Sequence, residues 1–238
     1  MPETDGIYSF AGIPVRIRSL HREVHRHCRD YAADGTPEYT ITITEEDILR
    51  EKNLAGHAVP DAFAEISAVH RRLAEELADR GILVMHGSAI AADGRGCLFT
   101  APSGTGKSTH TRLWREMLGD RARMVNDDKP FLQVSGEGVR IWGSPWDGKH
   151  RLSSNISVPL EAICFLRRGP TNEIRPISPA EALPELLQQC YRPQDPQKCL
   201  SALSSLDLLA RGTGFYRLSC NMEPEAAELS FRALLETR

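Results

Sequence analysis

The sequence predicts an α/β protein, and three observations carry that prediction. An amphipathic helix spans residues 60–80, short strands with tight turns follow from Gly81, and a continuous apolar run at 162–166 precedes a mostly helical C-terminal third. With 238 residues, 41% of them hydrophobic, the chain can bury a large core without disulfide or metal staples. We expect a strand-rich N-terminal segment over 1–58 and a core with a mixed sheet over 59–238.

Taking the elements in order, Thr40-Ile41-Thr42-Ile43-Thr44 alternates with the period of a half-buried strand. Pro60 suits a first helical turn, and Phe63, Ile66, Val69, Leu73 and Leu77 recur at steps of three and four, which assigns them to the buried face. Gly81 stops that helix. Residues 82–92 and 96–100 read as strands around the hairpin dipeptide Asp93-Gly94. Further strands are expected at 123–125, 131–134 and 139–142. The run Ala162-Ile163-Cys164-Phe165-Leu166 has the pattern of a strand buried on both faces. Helices are expected near 180–190, 195–210 and 224–236, the last opened by Pro224.

Composition excludes several classes. Twenty-nine basic residues against 32 acidic ones give a formal charge of -3, which argues against a broad basic face for duplex nucleic acid. No stretch has the length and apolarity of a membrane span. The N-terminal residues Met1 to Gly6 lack a secretory pattern, and six scattered cysteines without a CxxC pair fit a reducing compartment, so the expected location is the cytoplasm.

The most informative stretch is Ala101-Pro102-Ser103-Gly104-Thr105-Gly106-Lys107-Ser108-Thr109, a Walker A loop with alanine in place of the first glycine. An apolar strand precedes it and a helix with Leu113, Trp114 and Met117 follows. Gly104 and Gly106 let backbone N–H groups converge on phosphate oxygens at a helix N-terminus. Lys107 is placed to reach the β and γ phosphates, and Ser108 to offer a hydroxyl to Mg²⁺. Twenty residues later come Asp127 and Asp128, at the end of an apolar strand. Phosphoryl transfer uses one carboxylate for the metal and often a second for the proton of the attacking hydroxyl, and this pair could divide those roles. His86 ends an apolar run next to the hairpin that feeds the loop. It is either a structural histidine or a neighbour of the site.

Together, His86-Gly87-Ser88, Ser103 to Ser108 and Asn126-Asp127-Asp128 resemble the kinase domain of the bacterial HPr kinase/phosphorylase family. The loop and paired aspartates are also similar to the nucleotide core of ATP-dependent phosphoenolpyruvate carboxykinase. Trp142-Gly-Ser-Pro-Trp146-Asp-Gly-Lys149 and Asn221-Met-Glu-Pro-Glu-Ala-Ala227 resemble stretches shared by short, stand-alone HPr kinase-like proteins. The resemblance covers residues 83–227. It implies an HPr kinase-like P-loop core in which Ser103, Gly104, Thr105, Gly106, Lys107, Ser108 and Thr109 cradle ATP and Mg²⁺. It further implies that one of Asp127 and Asp128 binds the metal, that the other is the base, and that His86 sits beside the phosphoryl group.

The acceptor implied is a hydroxyl, foremost serine, on a peptide or small protein. A small-metabolite acceptor and a non-catalytic nucleotide-binding sensor are the alternatives, with homo-oligomerisation left open. Two departures limit the parallel: the Arg-Gly-Leu-Gly segment of true HPr kinases is missing, and so is most of a carboxykinase, so oxaloacetate decarboxylation is not expected.

Two weaker features complete the reading. The turn-rich segment 143–151 is either a lid or acceptor loop bringing Lys149 and Arg151 to phosphate charge, or a solvated loop with packed tryptophans. His21, His25, His27 and Cys28 invite a metal reading, opposed by Arg18, Arg22, Arg26 and Arg29, which point instead to a basic helical face.

Overall fold

A computed structural model describes residues 4–236. Met1 to Glu3, on which part of the N-terminal reading rests, lie outside the described residues. Strands β1 (Asp5–Phe10) and β2 (Ile13–Arg18) form a hairpin, and β3 (Tyr39–Thr42) joins β2 in parallel as a small sheet. Two helices interrupt this segment, α1 (Glu23–Cys28) and α2 (Glu45–Ala55), so it is not the mainly strand-rich piece expected. Helix α2 starts at a reciprocal cap, with the Thr44 side chain accepting from the Asp47 N–H and the Asp47 carboxylate accepting from the Thr44 N–H.

Helix α3 (Asp61–Ala78) buries Val69, Leu73 and Leu77, each contributing roughly 2 kcal/mol through lost apolar exposure. Phe63, assigned to that face, is instead 62% exposed, because the helix buries Ala64 and Glu65 beside it. Glu65 is fully buried and accepts from the His21 backbone N–H at 2.8 Å and from His21 Nδ1, also at 2.8 Å. This carboxylate ties the N-terminal segment to α3. One apolar cluster, holding Phe10, Ile17, Leu73, Val84, Phe131 and Trp146, spans the junction.

The expected single strand over 82–92 is two strands, β4 (Ile82–Val84) and β5 (Ser88–Ala92). The chain crosses between sheet regions at 85–87, where the Met85, His86 and Gly87 N–H groups bond the carbonyls of Pro130, Gln189 and Asp128. Strand β6 (Arg95–Thr100) pairs with β5 across Asp93-Gly94, both at positive φ (50° and 78°) as a two-residue hairpin requires. Helix α4 (Lys107–Leu118) leads to β7 (Ala122–Asn126), β8 (Phe131–Ser135), β9 (Gly138–Trp142) and the long β10 (Ser157–Arg168).

These strands lie in the order β4-β8-β9-β10-β6-β5-β7 in a curled mixed sheet. Strand β10 is parallel to β6 along one edge. Its other edge pairs antiparallel with β9 over Ser157–Pro159 and parallel with β12 (Gly214–Cys220) beyond Ala162. Strand β11 (Glu173–Pro176) flanks β12, and neither was expected in a helical C-terminal third.

The three expected C-terminal helices are α5 (Pro179–Gln189), α6 (Pro196–Gly212) and α7 (Pro224–Phe231), the last followed by a wider turn to Glu236. Along β10, Ile163 and Phe165 pack with α5 and α6, whereas Ala162, Cys164 and Leu166 pack with α4 and α7. The strand is thus buried on both faces, and the molecule is a mixed α/β protein.

Candidate functional site

Parallel strands β6, β10 and β12 all end at one cleft of about 800 Å³. Ligand clefts commonly form beyond the carboxyl ends of such strands, where loops diverge and helix N-termini point inward. The loop from β6 to α4 forms one wall, from Ser103 through Thr109. Gly104 (φ 79°) and Gly106 (φ 120°) hold conformations that side chains resist, and a Cβ on either would meet only open space. Glycine is required here by the backbone turn rather than by crowding.

Lys107 begins α4 and is almost wholly buried, with Nζ donating to the Ala101 carbonyl at 2.9 Å and more weakly to Pro102 at 3.4 Å. Burial lowers its pKa, with Lys129 adding to that and Asp128 and Asp127 opposing it. Ser108 and Thr109 line the same wall, and Thr105 bonds back to Pro102. From the end of β10, Arg168 donates through Nε to the Thr105 carbonyl at 3.2 Å and through a terminal nitrogen to Gly104.

Asp127 and Asp128 follow β7 and differ in surroundings. Asp127 is buried, and its Oδ1 accepts from the Ser88 hydroxyl at 2.6 Å. Ser88 has one proton and spends it there, so the 2.9 Å contact with Thr111 Oγ1 is donated by Thr111. Asp128 is half-exposed and has Lys129 Nζ 3.0 Å from its Oδ1. The wholly buried Asn126 shapes this turn: its Oδ1 accepts from the N–H groups of Asp128 (2.7 Å) and Lys129 (2.6 Å), while its Nδ2 donates to the Ser144 carbonyl at 2.9 Å.

His86 donates from Nδ1 to Gln189 Oε1 at 2.8 Å, leaving Nε2 3.6 Å from Asp128 Oδ1. Burial lowers its pKa, reinforced by Lys129 and Lys107, so the imidazole is neutral near pH 7. The Thr100 hydroxyl at the end of β6 holds the His86 carbonyl at 2.7 Å.

The cleft therefore brings together His86, Ser103 to Thr109, Asp127, Asp128 and Lys149. Arg151 does not line it: this residue sits at φ 47° beyond the Gly148 turn, near His27, whose pKa is lowered by burial and further by the Arg151 charge.

The histidine cluster does not converge. His25 is buried between the Tyr8 hydroxyl (2.7 Å) and Ser19 Oγ (2.8 Å), His21 is held by Glu65, and His27 packs against Trp146. Among the described residues no group of three or more His, Cys, Asp or Glu is placed to hold a metal. Arg22, Arg26 and Arg29 are exposed along that helix, as the basic-face reading has it.

Residues missed in the sequence include Thr111, Lys129, Gln189 and Arg168, and Ser88 enters there only as part of the His86-Gly87-Ser88 stretch, with no role. Arg168 had a usable signal, since Arg167-Arg168-Gly169 directly follows the apolar run of β10. Gln189 had none, being 103 positions from His86.

Fold and cleft define a mixed α/β protein whose curled sheet carries a glycine-bearing strand-to-helix loop beside two aspartates. The chain belongs to the family described as SynChlorMet cassette protein ScmC, which it matches over residues 62–194. It is also similar to a solved HPr(Ser) kinase/phosphatase from Coxiella burnetii, at 11% identity and a TM-score of 0.34, covering 64% of this chain and 93% of that one. Among curated proteins nothing matches.

Proposed function

We propose that this chain transfers the γ-phosphoryl group of ATP to a hydroxyl on a peptide or small protein. The observation that carries the reading is the meeting, in one cleft, of the Gly104–Gly106 loop, Lys107 and two aspartates with different surroundings. In an HPr kinase-like P-loop reading, the loop N–H groups and Lys107 receive the phosphates, with Lys107 Nζ turning from the Ala101 carbonyl to a phosphate oxygen. Lys149 and Arg168 add positive charge at the rim.

Ser108 and Asp127 are hard oxygen donors on the same cleft, a set that suits Mg²⁺, which takes one or two protein ligands together with phosphates and water. When bound, the metal would neutralise charge on the phosphates. Ser88 fixes one Asp127 oxygen, and the other, with no hydrogen bond among the described residues, is left for that role. Asp128, more exposed, is then the base. The acceptor oxygen forms a bond to the γ-phosphorus, the bond to the β-phosphate oxygen breaks with its electron pair leaving on ADP, and the hydroxyl proton passes to Asp128. Asn126, accepting from the Asp128 backbone N–H, fixes the turn that carries this carboxylate, and His86 lines the cleft beside it.

The test measures binding and turnover of labelled ATP by wild type, Lys107→Ala and Asp128→Asn. The expected outcome is weakened ATP binding in the first and, in the second, retained binding with phosphoryl transfer reduced about 100-fold or more. Wild-type consumption of ATP by both variants would sink the assignment.

A further inference from the structure

Asp128 lines a second cleft as well as the first. This one measures about 450 Å³ and opens against the N-terminal segment, with His27 and Leu54 from that segment, His70 and Ser67 from α3, and Trp146 on its walls. We propose that it is the acceptor site, and that it takes a peptide segment carrying a serine or threonine hydroxyl next to an acidic side chain. The proposal rests on the phosphotransfer reading and adds where the acceptor enters and what it looks like.

The geometry points this way because one carboxylate is common to both clefts. A nucleotide in the larger cleft and a hydroxyl in the smaller would approach Asp128 from different sides, as in-line displacement requires of donor and acceptor. The Trp146 ring, 4.9 Å from His70 and 5.8 Å from His27, makes a broad wall with Leu54 that suits the apolar parts of a peptide. Nε2 of each histidine is enclosed and has no hydrogen-bond partner among the described residues, so this wall carries unmet polar capacity.

Charge selects the flanking residue. Arg71 pairs with Glu51, Lys129 with Asp128, and Asp147 accepts from the Ser153 hydroxyl at 3.1 Å. Arg192, exposed at the cleft, has no hydrogen bond or ion pair among the described residues. Asp147 keeps its negative charge but is partly buried, whereas the exposed Arg192 offers an unpaired guanidinium to the incoming chain, which favours a carboxylate near the reacting hydroxyl.

The experiment uses labelled ATP and two heptapeptides, one with serine between two glutamates and one with serine between two lysines, with free L-serine as a third acceptor. Wild type should label the acidic peptide about tenfold faster than the basic one. Ser67→Trp, which fills the second cleft, should cut that labelling at least about tenfold with ATP affinity unchanged, and Arg192→Glu should reverse the peptide preference. Undiminished labelling in Ser67→Trp, labelling of L-serine but of neither peptide, or ATP binding with no peptide labelled would each overturn the acceptor assignment. Failure of wild type to bind ATP would overturn the phosphotransfer reading itself, and the acceptor site with it.

Discussion

The Ser88 hydroxyl donates to Asp127 Oδ1 across 2.6 Å, linking β5 to the turn that carries the paired aspartates after β7. Removing it in Ser88→Ala leaves the carboxylate buried with one acceptor lone pair unmet. Residues that orient a metal-binding carboxylate typically cost about 10- to 100-fold in metal affinity or activity when lost. We expect Ser88→Ala to raise the Mg²⁺ concentration needed for half-maximal transfer by that factor, and titrating Mg²⁺ at saturating ATP checks it. An unchanged Mg²⁺ dependence would reassign Asp127 to a purely structural part.

Arg168 reaches back from β10 to the carbonyls of Gly104 and Thr105. The loop it holds has few other ties, and Arg168→Ala should let it sample conformations that do not match a phosphate chain. The expected result is an ATP KM raised about tenfold with kcat changed far less, because the arginine positions the loop before chemistry. Equal losses in kcat and kcat/KM would place Arg168 at the transferring phosphoryl group instead.

Acid stability follows from three histidines, His110 buried and His27 and His70 partly so. Burial lowers the pKa of His27 to about 4, of His70 to about 3 and of His110 to about 4. In the unfolded chain each takes a proton near pH 6.5, so below that the unfolded state binds more protons than the native one. Their contribution is complete above pH 6.5 and is lost as pH falls toward 4 and then 3, at up to about 1.4 kcal/mol per pH unit for each histidine. Urea unfolding at pH 7.5, 6 and 5 should show stability falling across the series. A flat profile would mean the imidazoles accept protons in the native state.

What the sequence made legible has a physical pattern. Asp93-Gly94, the α3 periodicity, the run over 162–166 and the loop at 101–109 were readable because each is a local rule satisfied locally. Strand β12 was not, because its buried residues, Phe215 and Leu218, stand three apart where a strand signal needs alternation. Helix α2 buries Ile48 alone, so it had no apolar stripe, and only its Thr44–Asp47 cap marked it. For the cleft, motif spacing placed Lys107 and the aspartates in one neighbourhood. The partners Gln189, Ser88 and Thr111, and the second cleft around Trp146, arise from chain crossings that no local pattern encodes.

Strand β10 bonds β6 along one edge and divides the other between β9 and β12. Detaching it would unpair three strands at once, including the one that feeds Lys107 and the one that ends at Cys220. The two sides of the larger cleft therefore share a single cooperative unit and cannot loosen independently. Whatever motion admits a ligand must come from the loops at the strand ends, with the floor beneath them rising or falling as a whole.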